Sequence, residues 1–102
     1  MKRAGLLGVL AIFAAGTASA APEHLATIEA ECAAQLKMPP AGCACNKGKA
    51  AALSDGQQAF VAAVVTKDKA TQGNLTQDMT VRELTEAGRF MSTAPAECSR
   101  AQ

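Results

Sequence analysis

The chain has 102 residues and a formal net charge of +1, and it is 49% hydrophobic but only 3% aromatic. This length allows a single small domain, and a charge so close to zero lacks the basic surface that nucleic-acid binding requires. The composition therefore excludes a multidomain enzyme and gives no indication of a nucleic-acid partner.

The first residues have the three parts of a secretory signal in the usual order. Lys2 and Arg3 supply the positive charge, residues 5–15 are uncharged and mostly apolar, and residues 18–20 read Ala-Ser-Ala. The apolar stretch is about half of the roughly 20 residues needed to span a bilayer. We therefore expect a signal peptide over residues 1–20, cleaved on export, and no stable membrane insertion afterwards.

The remainder, residues 21–102, is expected to form one small helical domain. Removal of Lys2 and Arg3 lowers its net charge from +1 to −1. Large apolar residues are few, and small exported domains with thin cores usually depend on disulfides. Four cysteines are available, an even number, and they predict two bridges in the periplasm or outside the cell: Cys32, Cys43, Cys45 and Cys98.

The first two predicted helices flank a proline-rich break. Pro22 suits a helix start, and apolar residues at spacings of three and four predict a first helix over 22–37. Residues 38–42 (Met-Pro-Pro-Ala-Gly) should interrupt it, because proline cannot occupy a helix interior without cost. Helix-forming residues then predict a second helix over 43–53.

A capping box marks the third predicted helix. Ser54 followed by Gln57 has the spacing in which each side chain caps the other's backbone, and the apolar stripe beyond it predicts a helix over 55–68. The polar stretch 71–78, with Gly-Asn at its centre, is predicted to be a loop.

A second capping box, Thr80 with Glu83, precedes a fourth predicted helix over 81–93. Pro95 then lies near a helix end or begins a final turn that carries Cys98. The predicted fold is all-α, a small four-helix array of up-and-down hairpins joined by two disulfides.

The spacing of Cys43 and Cys45 bears on the pairing. Two positions apart on a helix, their side chains point in nearly opposite directions, one toward the first helix and one toward the last. This disfavours a bridge between them. A hairpin centred near the two prolines favours Cys32–Cys45 with Cys43–Cys98, and the swapped pairing remains open.

Two thiols one residue apart also allow a different hypothesis. Cys43 and Cys45 could bind a thiophilic metal such as Cu(I), with His24 and Met38 as further ligands. Disulfide pairing accounts for all four cysteines without any ligand, so the primary expectation contains no metal and no cofactor.

The acidic residues do not form a catalytic set. Glu83 and Glu86 are one helical turn apart, but acid–base catalysis would need burial to separate their pKa values, and the sequence shows no apolar frame around them. His24 is the single histidine and cannot form a three-ligand zinc site alone. We therefore expect a protein that is not an enzyme.

Two segments resemble the acid-stress chaperones of the bacterial periplasm, which are small, exported, helical proteins. The segments are residues 60–69 (FVAAVVTKDK) and 95–98 (PAEC), together 14 of the 82 residues in 21–102. The resemblance implies chaperone-like binding and a disulfide between an early and a late helix. This chain departs from that family in having four cysteines rather than two, and few aromatic residues.

The functional expectation is a small, exported, non-enzymatic helical protein that binds or stabilises another component of the cell envelope. Its partner is expected to be a protein, which the sequence does not identify, and its oligomeric state is left open. The alternatives are a metal–thiolate carrier that uses Cys43 and Cys45, and an acid-stress chaperone.

Overall fold

A computed structural model describes residues 22–100, and over this range all regular secondary structure is helical. The all-α prediction is confirmed, whereas the number of helices is five rather than four. The predicted signal peptide, residues 1–20, lies outside the described residues. The helices are α1 (Pro22–Glu31), prolonged by a π-helical segment (Cys32–Leu36), then α2 (Pro40–Ala50), α3 (Asp55–Val65), α4 (Lys69–Thr76) and α5 (Val81–Arg100).

The turn between α1 and α2 is shorter than predicted. Lys37 adopts a left-handed conformation, with φ of 59°, and ends the π-helical segment. Pro39 is extended, and Pro40 is the first residue of α2, where a missing N–H has no cost. The second helix therefore begins three residues earlier than the sequence pattern indicated, and Cys43 lies in its first turn.

The start of α3 confirms the first capping box. The Ser54 hydroxyl accepts from the backbone N–H of Gln57 at 3.2 Å, and the Gln57 amide oxygen accepts from the Ser54 N–H at 2.9 Å. The helix ends at Val65, earlier than predicted, because Lys67 is left-handed, with φ of 62°.

The predicted loop over 71–78 is wrong, since most of it belongs to the short helix α4. Asp68 caps this helix, accepting from the backbone N–H of Thr71 at 3.1 Å and from its hydroxyl at 2.7 Å. The side-chain cap compensates for Gly73 and Asn74, which have weak helix propensity.

The second capping box is also confirmed, at the start of α5. Thr80 and Glu83 exchange side-chain and backbone hydrogen bonds of 2.8 and 3.1 Å. The helix runs past residue 93, through Pro95, to Arg100. Pro95 removes a backbone donor, a cost that tertiary contacts must offset; Cys98, one turn further on, is covalently held to α2.

The core lies where α1, α2, α3 and α5 meet. Its larger members are Ile28, Val61 and Phe90, and the remaining positions are alanines, which allow helix backbones to approach closely: Ala50, Ala62, Ala87 and Ala94. Within residues 22–100, no helix combines the length and the apolar character required to cross a bilayer.

Candidate binding cleft

Two disulfide bonds join the four cysteines, and both involve α2. Cys32 bonds to Cys43, with Cα atoms 5.7 Å apart, and Cys45 bonds to Cys98, with Cα atoms 5.6 Å apart. The expectation that Cys43 and Cys45 face different helices is confirmed.

The favoured pairing, Cys32–Cys45 with Cys43–Cys98, is wrong. The left-handed Lys37 places the turn midway along the chain between Cys32 and Cys43. These two residues therefore face each other across the hairpin, and Cys45 is left to face α5. The two prolines lie at the end of the turn, because Pro40 already belongs to α2.

Ion pairs repeat the pattern of the disulfides one turn further along α2. Lys47, four residues after Cys43, pairs with Glu29 of α1 at 3.3 Å. Lys49, four residues after Cys45, pairs with Glu97 of α5 at 3.2 Å. Each side of α2 thus carries one covalent and one ionic link to the same neighbour, although such exposed ion pairs contribute little by themselves.

The proposed metal pair takes a different form in the structure. The Cys43 and Cys45 sulfurs bond to different partners, so thiolate ligation by both would need both bridges reduced. Met38 lies near Cys32, with 3.7 Å between the two sulfurs, and the backbone carbonyl of Met38 is 3.7 Å from the Cys43 sulfur. Among residues 22–100, no three His, Cys, Asp or Glu side chains are grouped to hold a metal ion.

An apolar cleft of about 260 Å³ opens between α1, α2, α3 and α5. Its walls are mostly apolar, with five aliphatic side chains, one aromatic ring, a methionine and a proline, and its polar members come from α1, the π-helical segment and α2. The lining residues are Ile28, Glu31, Cys32, Gln35, Leu36, Asn46, Val61, Val64, Val65, Phe90, Met91 and Pro95. The Cys32–Cys43 bridge borders this cleft and fixes the π-helical wall to α2.

Asn46 is the buried polar residue of the cleft. It is 4% exposed, and its side-chain oxygen Oδ1 has no hydrogen-bond partner. Leaving a buried acceptor unsatisfied typically costs about 1–3 kcal/mol, so the burial of this oxygen opposes folding. The oxygen itself is buried beneath the cleft surface, so the side chains at the polar edge, Glu31 and Gln35, are the polar groups that the cleft presents.

Gln35 forms the polar edge of the cleft and connects two of its walls. Its Nε2 donates to the backbone carbonyl of Val65 and to the carboxylate of Glu31, each at 2.6 Å, and Lys67 donates to its Oε1 at 3.4 Å. The π-helical segment that carries Gln35 is a geometry found frequently at functional sites. Leu36, at the end of that segment, is 49% exposed and lies at the edge of the cleft.

The paired carboxylates have structural partners. Glu83 closes the capping box with Thr80. Glu86 accepts from Gln57 Nε2 at 3.0 Å and lies 3.7 Å from Arg82. His24 is half-buried in the first turn of α1 and outside the cleft.

The sequence pattern alone did not identify Asn46 as a buried residue beside the cleft. The signal was present, because Cys43, Asn46 and Ala50 recur at spacings of three and four and are all buried on α2. A polar side chain in the middle of such a buried stripe is unusual. The stripe lies within the helix predicted over 43–53, and its burial becomes evident only when α2 is seen packed against its neighbours.

Comparisons with protein-family models, with curated proteins and with solved structures give no match to this chain. The functional assignment therefore depends on the geometry of the cleft and its frame.

Proposed function

We propose that this chain is a small exported protein that binds another component of the cell envelope, a protein, and that the cleft between α1, α2, α3 and α5 is its contact site. The observation that supports this most is the combination of an open apolar cavity with a covalently fixed frame. Apolar cavities with few polar groups are the usual form of binding sites, and a rigid frame reduces the ordering cost of binding.

Export is part of the proposal. The two disulfides suit an oxidising compartment such as the periplasm or the extracellular space, and the signal pattern at the start of the sequence points the same way. The intact mass of protein recovered from the envelope fraction would test this. We expect cleavage near residue 20 and, upon reduction, a gain of about four hydrogen masses, one pair for each bridge.

A non-enzymatic role is supported by the use of the acidic side chains. Glu83 and Glu86 are engaged in a helix cap and in a link between helices, and the cleft walls are mostly apolar. Binding rather than acid–base chemistry is the activity that such a lining favours.

Site-specific photocrosslinking tests the contact surface. A photoreactive phenylalanine analogue at Leu36 lies at the cleft edge, while the same analogue at Val81, which is 81% exposed and is not among the lining residues, serves as the matched control. In cells that export the protein, we expect a discrete protein adduct from position 36 and none from position 81.

Filling the cleft gives the specificity control. Val64 is half-buried on the α3 wall, and Val64→Phe should occupy much of the cavity and abolish the adduct from position 36. An adduct that persists in the filled variant, or the same adduct from both positions, would contradict the cleft as contact site.

The metal-carrier alternative requires free thiols. The mass measurement above decides it, because a carrier using Cys43 and Cys45 would arrive with reduced cysteines or with bound metal. An envelope protein with all four cysteines oxidised would remove that alternative and leave the binding proposal in place.

A further inference from the structure

We infer that the reduced, dithiol form of the Cys32–Cys43 pair binds one Cu(I) ion together with the thioether of Met38. This inference goes beyond the proposed function, because it does not depend on what the cleft binds. Its ligands also differ from the Cys43 and Cys45 pair of the carrier alternative. Three features lead to it: the positions of three sulfur atoms, the rigid turn that carries one of them, and the softness of the ligand set.

Three sulfur atoms meet at the turn between α1 and α2. Cys32 and Cys43 are bonded to each other, and the Met38 Sδ lies 3.7 Å from the Cys32 Sγ. With metal–sulfur bonds of about 2.3 Å, the sulfurs of a trigonal site lie about 4 Å apart. The Met38 and Cys32 sulfurs therefore already have close to the separation that a shared metal ion requires.

The turn fixes the position of the thioether. Lys37, directly before Met38, is left-handed and reverses the chain. Pro39, directly after Met38, restricts the backbone of Met38 to extended conformations. The third sulfur is thus placed by the backbone, which lowers the ordering cost of binding an ion.

Reduction supplies the two thiolates. A dithiol reductant, such as the active-site pair of a thiol–disulfide oxidoreductase, breaks the S–S bond, passes two electrons and two protons to the two sulfurs and itself becomes a disulfide. Cu(I) then displaces the two thiol protons. The Cα atoms of Cys32 and Cys43 are 5.7 Å apart, so rotation of the two side chains can separate the thiolates to the spacing of a trigonal site.

The softness of the ligands decides the identity of the metal. Thiolates and thioethers favour Cu(I), whereas a structural zinc site usually has four cysteine or histidine ligands. Within residues 22–100, no cluster of three His, Cys, Asp or Glu side chains is suited to a metal ion. Glu29, which lines a groove with Met38 and Cys43, pairs with Lys47. The set of two thiolates and one thioether is therefore one for Cu(I).

The bridge can be reached and reduced selectively. Cys32 and Cys43 are only 3% and 2% exposed, but the half-buried Met38 and Cys43 line a groove of about 320 Å³ that offers a route to them. This bridge spans 11 residues, against 53 for Cys45–Cys98. It therefore stabilises the fold less in the chain-entropy model and is the easier of the two to reduce.

Copper uptake by the partially reduced protein tests the inference. The oxidised protein is treated with limiting dithiothreitol, freed of reductant without air, and titrated with Cu(I) supplied as its bicinchoninate complex. Alkylation mapping should show that Cys32 and Cys43 are open, and native mass spectrometry should show one copper per chain. Opening of the Cys45–Cys98 bridge in its place, or no copper uptake, would overturn the inference.

Met38→Leu tests the third ligand. Leucine keeps an apolar side chain of similar size, so the variant should fold, while its Cu(I) affinity should fall by at least about tenfold. X-ray absorption should show three sulfur neighbours around copper in the unsubstituted protein and two in Met38→Leu. The matched control is Met79→Leu, between α4 and α5, which should keep both the affinity and the three neighbours. Three neighbours in Met38→Leu, or an equal loss of affinity in both variants, would overturn the inference.

The partially reduced protein also separates this site from the carrier alternative. Its Cys45 remains bonded to Cys98, so copper bound by this form cannot use Cys45. Copper bound by the fully reduced protein alone would assign the ion to Cys43 and Cys45 and overturn the inference. The photocrosslinking result at position 36 is obtained without copper, so failure of either proposal leaves the other standing.

Discussion

Gln57 donates from its side-chain Nε2 to the backbone carbonyl of Glu83 at 3.0 Å. Each of these residues closes the capping box of its own helix, α3 or α5. The bond therefore connects the N-terminal turns of two core helices. A buried glutamine that caps one helix and ties it to another serves local structure and packing together.

Replacing Gln57 tests this double role. Gln57→Leu removes the acceptor for the Ser54 N–H and both donations to α5, and we expect unfolding to become easier by about 2 kcal/mol. Ser54→Ala removes only the side-chain cap and should cost about 1 kcal/mol. Urea denaturation measures both, and equal costs would show that the link to α5 contributes nothing.

The two disulfides should contribute unequally. The Cys45–Cys98 bridge spans 53 residues and the Cys32–Cys43 bridge spans 11. In the chain-entropy model, loss of the longer loop costs about 4 kcal/mol and loss of the shorter loop about 3 kcal/mol. Denaturation of the paired Cys→Ala variants, Cys45/Cys98 against Cys32/Cys43, gives the order; a greater loss from the shorter loop would contradict it.

Asn46→Leu should not destabilise the protein, even though the residue is buried. Its side-chain oxygen is unpaired, so an apolar replacement of similar volume removes a desolvation cost, and we expect stability to rise by about 1 kcal/mol. Thermal unfolding monitored by circular dichroism would detect the change. A marked loss of stability would show that the amide group of Asn46 contributes to folding.

The left-handed Lys37 carries a conformational cost that glycine would relieve. With φ of 59° at the end of the π-helical segment, a residue with a Cβ is disfavoured. Lys37→Gly should stabilise the fold by up to about 1 kcal/mol. Lys37→Ala, which keeps the Cβ, should change the free energy of unfolding by less than about 0.5 kcal/mol; a similar gain in both variants would exclude the backbone explanation.

The cap of α4 should depend on pH. Hydrogen bonds from the Thr71 hydroxyl and then the Thr71 N–H lower the pKa of Asp68 below its ordinary value. A carboxyl with a lowered folded-state pKa adds stability above its unfolded-state pKa, and that contribution disappears as the pH falls through the lowered pKa. We therefore expect α4 to loosen in acid, at a pH below that at which an ordinary aspartate titrates.

Carbon-13 shifts of the Asp68 carboxyl give the titration midpoint, and α-carbon shifts across residues 69–76 report the helix. In Asp68→Asn the amide oxygen still accepts at the cap, and the acid dependence of α4 should vanish. An α4 that loosens equally in this variant would assign the effect to another group. The same titration also tests the acid-stress chaperone hypothesis. If that hypothesis is right, helices well beyond α4 should loosen in acid.

Local signals in the sequence were the most reliable guide to the fold. Ser54 with Gln57, and Thr80 with Glu83, act over three residues, so their spacing alone identified the starts of α3 and α5. The opposite directions of the Cys43 and Cys45 side chains were also predictable, because they depend only on the geometry of a single helix. These predictions needed no knowledge of how the helices pack.

Predictions that depended on tertiary structure failed or were missing. The pairing of Cys32 depended on where the α1–α2 turn is centred, which a left-handed lysine determines and composition does not reveal. Helix α4 depends on the Asp68 cap in a stretch with weak helix propensity. The burial of Asn46 depends on how the neighbouring helices pack around α2.

The sharing of α2 by both disulfides has a mechanical consequence for the cleft. Among the described residues, α1, α2 and α5 form a single cross-linked unit, whereas α3 joins the cleft by noncovalent contacts and by the chain itself. A larger or smaller bound group would then be accommodated by a shift of α3, because no disulfide holds this wall of the cleft. Related proteins that evolved toward different partners would be expected to vary first at Val61, Val64 and Val65, and to keep the cross-linked unit intact.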